Sequence, residues 1–195
     1  MKTNEAYWSQ RYQAESTPWD IGYASPPLTE YIDQLPHKDL NILIPGAGLG
    51  HEAAYLWQQG FHKLTVIDIA EEPLKRLQAQ HPELPSSCLK HEDFFSHEGQ
   101  YELILEQTFF CALEPSFRES YVKHMHRLLA PGGRLAGLFF DFPLTESGPP
   151  FGGSKAEYQE RFSPYFELLT LEPCTNSIPP RQGKELFFIF EKKPS

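Results

Sequence analysis

Three glycines at alternate positions, Gly46, Gly48 and Gly50, stand between a short apolar run (residues 40–45) and a stretch with helical patterning (residues 51–59). Glycine is needed where a turn is tight or a ligand must touch the backbone. The helix after such a turn presents free N–H groups and the positive end of its dipole. Asp68 closes a second apolar run, 22 positions after Gly46. A carboxylate there is placed to accept hydrogen bonds from a pair of ribose hydroxyls, or to cap the next helix. Together these features describe a nucleoside-binding corner; a glycine-rich turn without a ligand is the plain alternative. NAD-dependent oxidoreductases share both features, but the dinucleotide fingerprint GxGxxG would place its third glycine where His51 stands. The spacing GxGxG fits a short cofactor without a pyrophosphate better. Glu92-Asp93-Phe94 follows a third strand. An acid beside an apolar residue suits an adenine amino group and its ring, and equally suits a solvent-facing turn.

The first forty residues carry Tyr7, Trp8, Tyr12, Trp19, Tyr23 and Tyr31 but little strand pattern. Aromatic faces attract cations, by about 0.5–2 kcal/mol each. A sulfonium is a cation with no N–H to donate, so rings suit it where ordinary hydrogen bonds do not. Trp8, Tyr12 and Trp19 therefore read as a cover over a sulfonium cofactor, or as packing residues of an N-terminal helix. The eight histidines show no HExxH or other metal-ligand spacing, so no metal is expected. No GxSxG elbow is present, which leaves a triad hydrolase unsupported.

These residues need a frame, and the pattern supplies one. Strands are predicted over residues 40–45, 63–69, 86–90, 101–106, 134–142, 166–171 and 185–191. Helices are predicted over 51–59, 73–80, 117–129 and 155–162, with a turn at 130–133. Alternating strands and helices argue for an α/β fold: a mainly parallel, seven-stranded sheet covered on both faces. The last two strands have no crossover helix between them and must form an antiparallel hairpin at the edge.

The chain has 195 residues, enough for a single domain (1–195) with residues 1–40 as an extension over it. The net charge of −9 disfavours a nucleic-acid or anionic-membrane partner. Cys88, Cys111 and Cys174 form no disulfide framework. With no signal-like N-terminus or membrane-length apolar run, the expected location is cytoplasmic.

Several stretches resemble the thiopurine S-methyltransferase family, most of all its plant-type thiol and halide methyltransferase branch. They are Trp8-x-x-Arg11-Tyr12, Thr17-Pro18-Trp19-Asp20, Pro45-Gly46-Ala47-Gly48, Glu92-Asp93-Phe94-Phe95, Phe109-Phe110-Cys111-Ala112-Leu113-Glu114-Pro115, Gly148-Pro149-Pro150-Phe151 and Arg181-x-Gly183-Lys184-Glu185. The resemblance runs from about Trp8 to Lys192. It implies a Rossmann-like class I S-adenosylmethionine-dependent methyltransferase fold. Cofactor contacts are implied at Trp8, Tyr12, Trp19, Gly46, Asp68, Glu92, Asp93 and Gln107. Three positions depart from the pattern: Tyr12 where the family usually has a second tryptophan, Gln107 where the thiopurine branch has arginine, and Ala47 where the plant branch has cysteine.

The implied reaction is methyl transfer to a small soft nucleophile: a thiol, bisulfide, thiocyanate or halide, thiopurine-like thiols included. Such anions need no strong base, which agrees with the absence of an evident His/Asp pair. Phe151 is expected in a lid, Tyr158 in the acceptor pocket, and Arg181 and Lys184 as attractors of the anion. The expected assembly is a monomer or weak homo-oligomer. The rival readings are a small-molecule O- or N-methyltransferase, a non-catalytic S-adenosylmethionine-binding module and an NAD-dependent oxidoreductase.

Overall fold

Side chains of a strand alternate between its faces, and this sorts the core into two clusters. Ile42, Ile44, Val66, Leu103, Leu105 and Ala136 point to one face; Leu43, Ile67, Ile104, Leu135 and Phe188 point to the other. The computed structural model describes residues 2–195. Its strands are β1 (Ile42–Pro45), β2 (Leu64–Asp68), β3 (Leu89–His91), β4 (Tyr101–Glu106), β5 (Leu129–Phe140), β6 (Phe166–Pro173) and β7 (Glu185–Lys192). They form one sheet in the order β3-β2-β1-β4-β5-β7-β6. β7 runs antiparallel between β5 and β6, and the remaining neighbours are parallel. The edge hairpin therefore forms as its missing crossover requires, with β7 on the inside.

Helices α1 (Glu5–Gln13) and α2 (Pro26–Asp33) precede the sheet; α3 (His51–Gln58), α4 (Glu71–Gln80), α5 (Arg118–Leu128) and α6 (Lys155–Phe162) cover it. Ile32 of α2, Leu56 of α3 and Leu77 of α4 pack on the first face; Tyr121 and Met125 of α5 and Phe162 of α6 pack on the second. Local chemistry sets the helix ends. Asn4 accepts from the Tyr7 N–H at 3.0 Å to cap α1, and Ser154 accepts from the Glu157 N–H at 3.2 Å to cap α6. Gly60, at φ +93°, ends the α3 segment where a left-handed residue is needed.

Two expectations change. Residues 130–133 are not a turn before a strand. β5 begins at Leu129, and its pairing with β4 jumps from Tyr101↔Leu129 to Leu103↔Arg134, so the segment bulges out of a continuous strand. The third strand is shorter than residues 86–90, because Ser86–Cys88 forms a 3₁₀ turn ahead of it.

Candidate functional site

The sheet order reverses direction between β1 and β4, and such switch points leave a crevice at the carboxyl ends of the strands. Here the ends of β1, β2, β4 and β5 open into a cavity of about 460 Å³, within the range of small-molecule sites.

One end of the cavity is the glycine corner. Gly46, Gly48 and Gly50 all have positive φ, at +58°, +55° and +68°. A side chain is excluded at two of them by contact as well as by strain: a Cβ would lie 2.3 Å from the Phe109 ring at Gly46, and 2.4 Å from Leu77 at Gly50. Asp68, at the end of β2, is buried. Its Oδ2 accepts from the Gly48 N–H at 3.0 Å and its Oδ1 from the Ala70 N–H at 2.9 Å. It thus fixes the glycine corner and caps the approach to α4 while still lining the cavity. Burial pushes its pKa up to about 6, against the pull of those two N–H donors.

Further along the wall, Asp93 accepts from the Phe95 N–H at 2.9 Å, and the buried Gln107 Oε1 has no partner among the described residues. Glu92 does not reach the cavity. Its carboxylate pairs with the buried His97 ring, whose other nitrogen meets the Tyr101 hydroxyl at 2.7 Å.

The N-terminal segment forms the cover. Trp8, Arg11 and Tyr12 share one face of α1, as the i, i+3, i+4 spacing dictates, and all three line the cavity with Trp19. Trp19 meets Trp8 and Tyr12 edge-on, at 5.4 and 5.7 Å between ring centres. The Tyr12 hydroxyl overlies Gly48, and burial, then the Asp68 charge, push its pKa up, so it stays protonated. The cover is tied down from several sides: Arg76 donates to the Tyr12 carbonyl at 2.8 Å, Gln13 to Glu72 at 2.8 Å, and Arg181 to the Trp19 carbonyl at 3.0 Å. The Ser25 N–H donates to the buried Glu52 at 3.0 Å.

The opposite end of the cavity is walled by Phe140, Phe142, Pro149, Pro150, Arg181 and Lys184. Arg181 is 9% exposed and its Nη1 is buried without a hydrogen-bond partner among the described residues, 4.0 Å from Glu185. Phe151 and Tyr158 stand behind this wall. Phe151 is buried and its N–H donates to the Cys111 carbonyl at 2.8 Å; Tyr158 is 1% exposed and its hydroxyl donates to the Phe140 carbonyl at 2.6 Å. The segment around Phe151 is held by hydrogen bonds. Gly153 donates to the Phe142 carbonyl at 2.9 Å, and Arg118, itself paired with Glu157, donates to the Gly152 carbonyl at 2.6 Å.

Of the residues singled out from the sequence, the cavity thus gathers Trp8, Tyr12, Trp19, Gly46, Asp68, Asp93, Gln107, Arg181 and Lys184, and leaves out Glu92, Phe151 and Tyr158. Sequence reasoning expected no His/Asp pair, yet the His51 Nε2 lies 2.7 Å from Asp20 Oδ1 and both residues line the cavity. It also overlooked Glu106. This fully buried carboxylate accepts from the Phe109 and Phe110 N–H groups at 2.9 and 2.8 Å and from the Tyr121 hydroxyl at 2.7 Å, shaping the turn under the cavity. Burial raises its pKa to about 7 despite those three donors. Its place inside an apolar strand, where a charge is out of pattern, was the available signal.

A mainly parallel seven-stranded sheet with β7 inserted antiparallel, and a glycine corner after β1, define the fold of a class I S-adenosylmethionine-dependent methyltransferase. The 1,6-didemethyltoxoflavin-N1-methyltransferase of Burkholderia thailandensis, solved with S-adenosylhomocysteine, has the same fold. Its TM-score is 0.80 at 18% identity, covering 97% of this chain and 87% of that one. Two proteins of Arabidopsis thaliana are each 30% identical. They are a probable thiol methyltransferase 2 (184 residues; 91% of this chain, 81% of that protein) and thiocyanate methyltransferase 1 (190 residues; 93% and 82%). The profile of the family described as Thiopurine S-methyltransferase (TPMT) matches residues 3–193, and the chain belongs to that family. Among the described residues no helix is long and apolar enough to cross a membrane.

Proposed function

We propose that this methyltransferase acts on a small, soft, anionic nucleophile: a thiolate, bisulfide, thiocyanate or halide, thiopurine-like thiols included. The observation that carries the proposal is Arg181, whose buried Nη1 lies 4.0 Å from Glu185 and makes no hydrogen bond among the described residues, in a wall that otherwise holds Phe140, Phe142, Pro149, Pro150 and Lys184. A buried N–H without an acceptor is costly, and an anionic acceptor supplies one. The names of the two plant relatives, thiol and thiocyanate methyltransferase, agree with such acceptors.

The opposite end fits the cofactor. Gly48 leaves room beneath the Tyr12 hydroxyl, Asp68 stands ready for the ribose hydroxyls, and Asp93 and the unpartnered Gln107 Oε1 suit the adenine amino group. Trp8, Tyr12 and Trp19 offer ring faces and edges over a sulfonium and keep water away. S-adenosylmethionine supplies a methyl group bonded to a positive sulfur. The acceptor lone pair forms the new bond to carbon, the carbon–sulfur pair returns to sulfur, and opposite charges cancel. No proton has to move when the acceptor is already an anion. The chain's contribution is alignment and the replacement of the anion's hydration shell. Three free thiols suit a reducing compartment, which favours the cytoplasm.

The test is headspace gas chromatography after incubation with S-adenosylmethionine and iodide, thiocyanate or sulfide. Methyl iodide, methyl thiocyanate or methanethiol should form together with S-adenosylhomocysteine. No volatile product from any of the three, in protein shown to bind S-adenosylhomocysteine, rejects the acceptor class.

A further inference from the structure

The cofactor of this family ends in an amino acid, and the anionic end of that tail needs a partner. Three N–H groups of the glycine corner are already spent within the protein. The Ala47 N–H donates to the Ile67 carbonyl at 3.3 Å, the Gly48 N–H to Asp68 at 3.0 Å, and the Gly50 N–H to the Ala47 carbonyl at 2.9 Å. Arg11 is the unspent group nearby. It lines the same cavity from α1, one residue before Tyr12, and its guanidinium lies 5.6 Å from the centres of both the Tyr7 and Trp19 rings. Its buried Nε has no hydrogen-bond partner among the described residues. Arg118, Arg134 and Arg161, in contrast, each meet a glutamate at 2.6–3.1 Å. A guanidinium held between two aromatic rings keeps its rigid fork of donors free for a carboxylate.

We propose that Arg11 is the carboxylate-binding residue for the amino-acid tail of S-adenosylmethionine. The cover thus serves twice, rings for the sulfonium and a cation for the carboxylate. Arg181, which donates to the Trp19 carbonyl from the acceptor end, is left for the anionic acceptor. The inference rests on the cofactor site assigned above.

The test separates the tail from the nucleoside. Calorimetry compares S-adenosylhomocysteine with 5′-methylthioadenosine, which keeps the nucleoside and the sulfur but has no amino-acid tail. Arg11→Gln should weaken S-adenosylhomocysteine binding by about 10- to 100-fold, the worth of one charge-assisted contact, and leave 5′-methylthioadenosine within about twofold. Arg11→Lys, which keeps the charge, should recover most of the loss. An arm that needs no variant uses wild-type protein with the carboxamide of S-adenosylhomocysteine, which should bind about tenfold less tightly than the acid. Equal weakening of both nucleosides by Arg11→Gln would assign Arg11 a merely structural role and overturn the proposal. So would a raised KM for thiocyanate with unchanged S-adenosylhomocysteine affinity, or equal wild-type affinity for acid and carboxamide. Wild-type protein that binds neither nucleoside would instead sink the cofactor site itself.

Discussion

The two ends of the cavity are built by different means. The end proposed for the cofactor comes from backbone: three left-handed glycines, a strand-end carboxylate that ties them together, and turns whose geometry is set within a few residues. The end proposed for the acceptor comes from side chains far apart in the chain, with Phe140 at the end of β5 and Phe142 just after it, Pro149 and Pro150, and Arg181 and Lys184 between β6 and β7. Backbone geometry admits few substitutes, so the first end is fixed in character. The second changes with single side chains, and the proposed function places acceptor choice there.

The largest effect should come from the carboxylate that holds the turn beneath the cavity. Glu106→Ala leaves two buried N–H groups and a buried hydroxyl without their acceptor. At about 1–3 kcal/mol for each lost partner, the variant should lose at least about 3 kcal/mol in urea unfolding. A loss below about 1 kcal/mol would show that the turn at Phe109 does not depend on it.

Next come the variants that divide the ends. Asp68→Asn should weaken S-adenosylhomocysteine binding by about 1–3 kcal/mol while the KM for thiocyanate, measured at saturating cofactor, changes little. Arg181→Gln should do the reverse, raising that KM by about tenfold and moving cofactor affinity by less than about threefold. Matching losses in both measurements for both variants would erase the division.

The smallest effect is the pH dependence of the cofactor end. In the proposed site ribose hydroxyls would donate to ionised Asp68, and its pKa of about 6 lies above the usual carboxylate value because it is buried. Protonation therefore competes with binding as pH falls through that value, and affinity is regained as pH rises above it. S-adenosylhomocysteine should bind about fourfold more weakly at pH 5.5 than at pH 7.5, and Asp68→Asn should flatten the profile. An unchanged slope in that variant would point to another titrating group.

The same contrast explains what could be read from sequence. Gly46, Gly48, Gly50 and Asp68 were legible because their roles follow from local spacing, and the strand–helix alternation carried the sheet with them. The aromatic cover was legible by composition, with an N-terminal helix among its readings, but the helix Pro26–Asp33 was not. The acceptor wall was legible only in part. Arg181 and Lys184 reach the cavity, but Phe151 turns inward to the Cys111 carbonyl and its proline neighbours take the wall. Tyr158 is drawn behind the wall by the Phe140 carbonyl, a pairing across 18 positions that no periodicity encodes. Residues 130–133 have the composition of a turn, yet pairing on both sides keeps them within one bulged strand.

The most direct test of this two-ended arrangement is a crystal structure with S-adenosylhomocysteine. The account predicts adenosine over the Gly46–Gly50 corner with its ribose on Asp68, and a sulfur beneath Trp8 and Trp19 facing the Phe140 and Arg181 wall. Density with the sulfur turned away from that wall, or nucleoside bound elsewhere while this corner takes a dinucleotide, would contradict it.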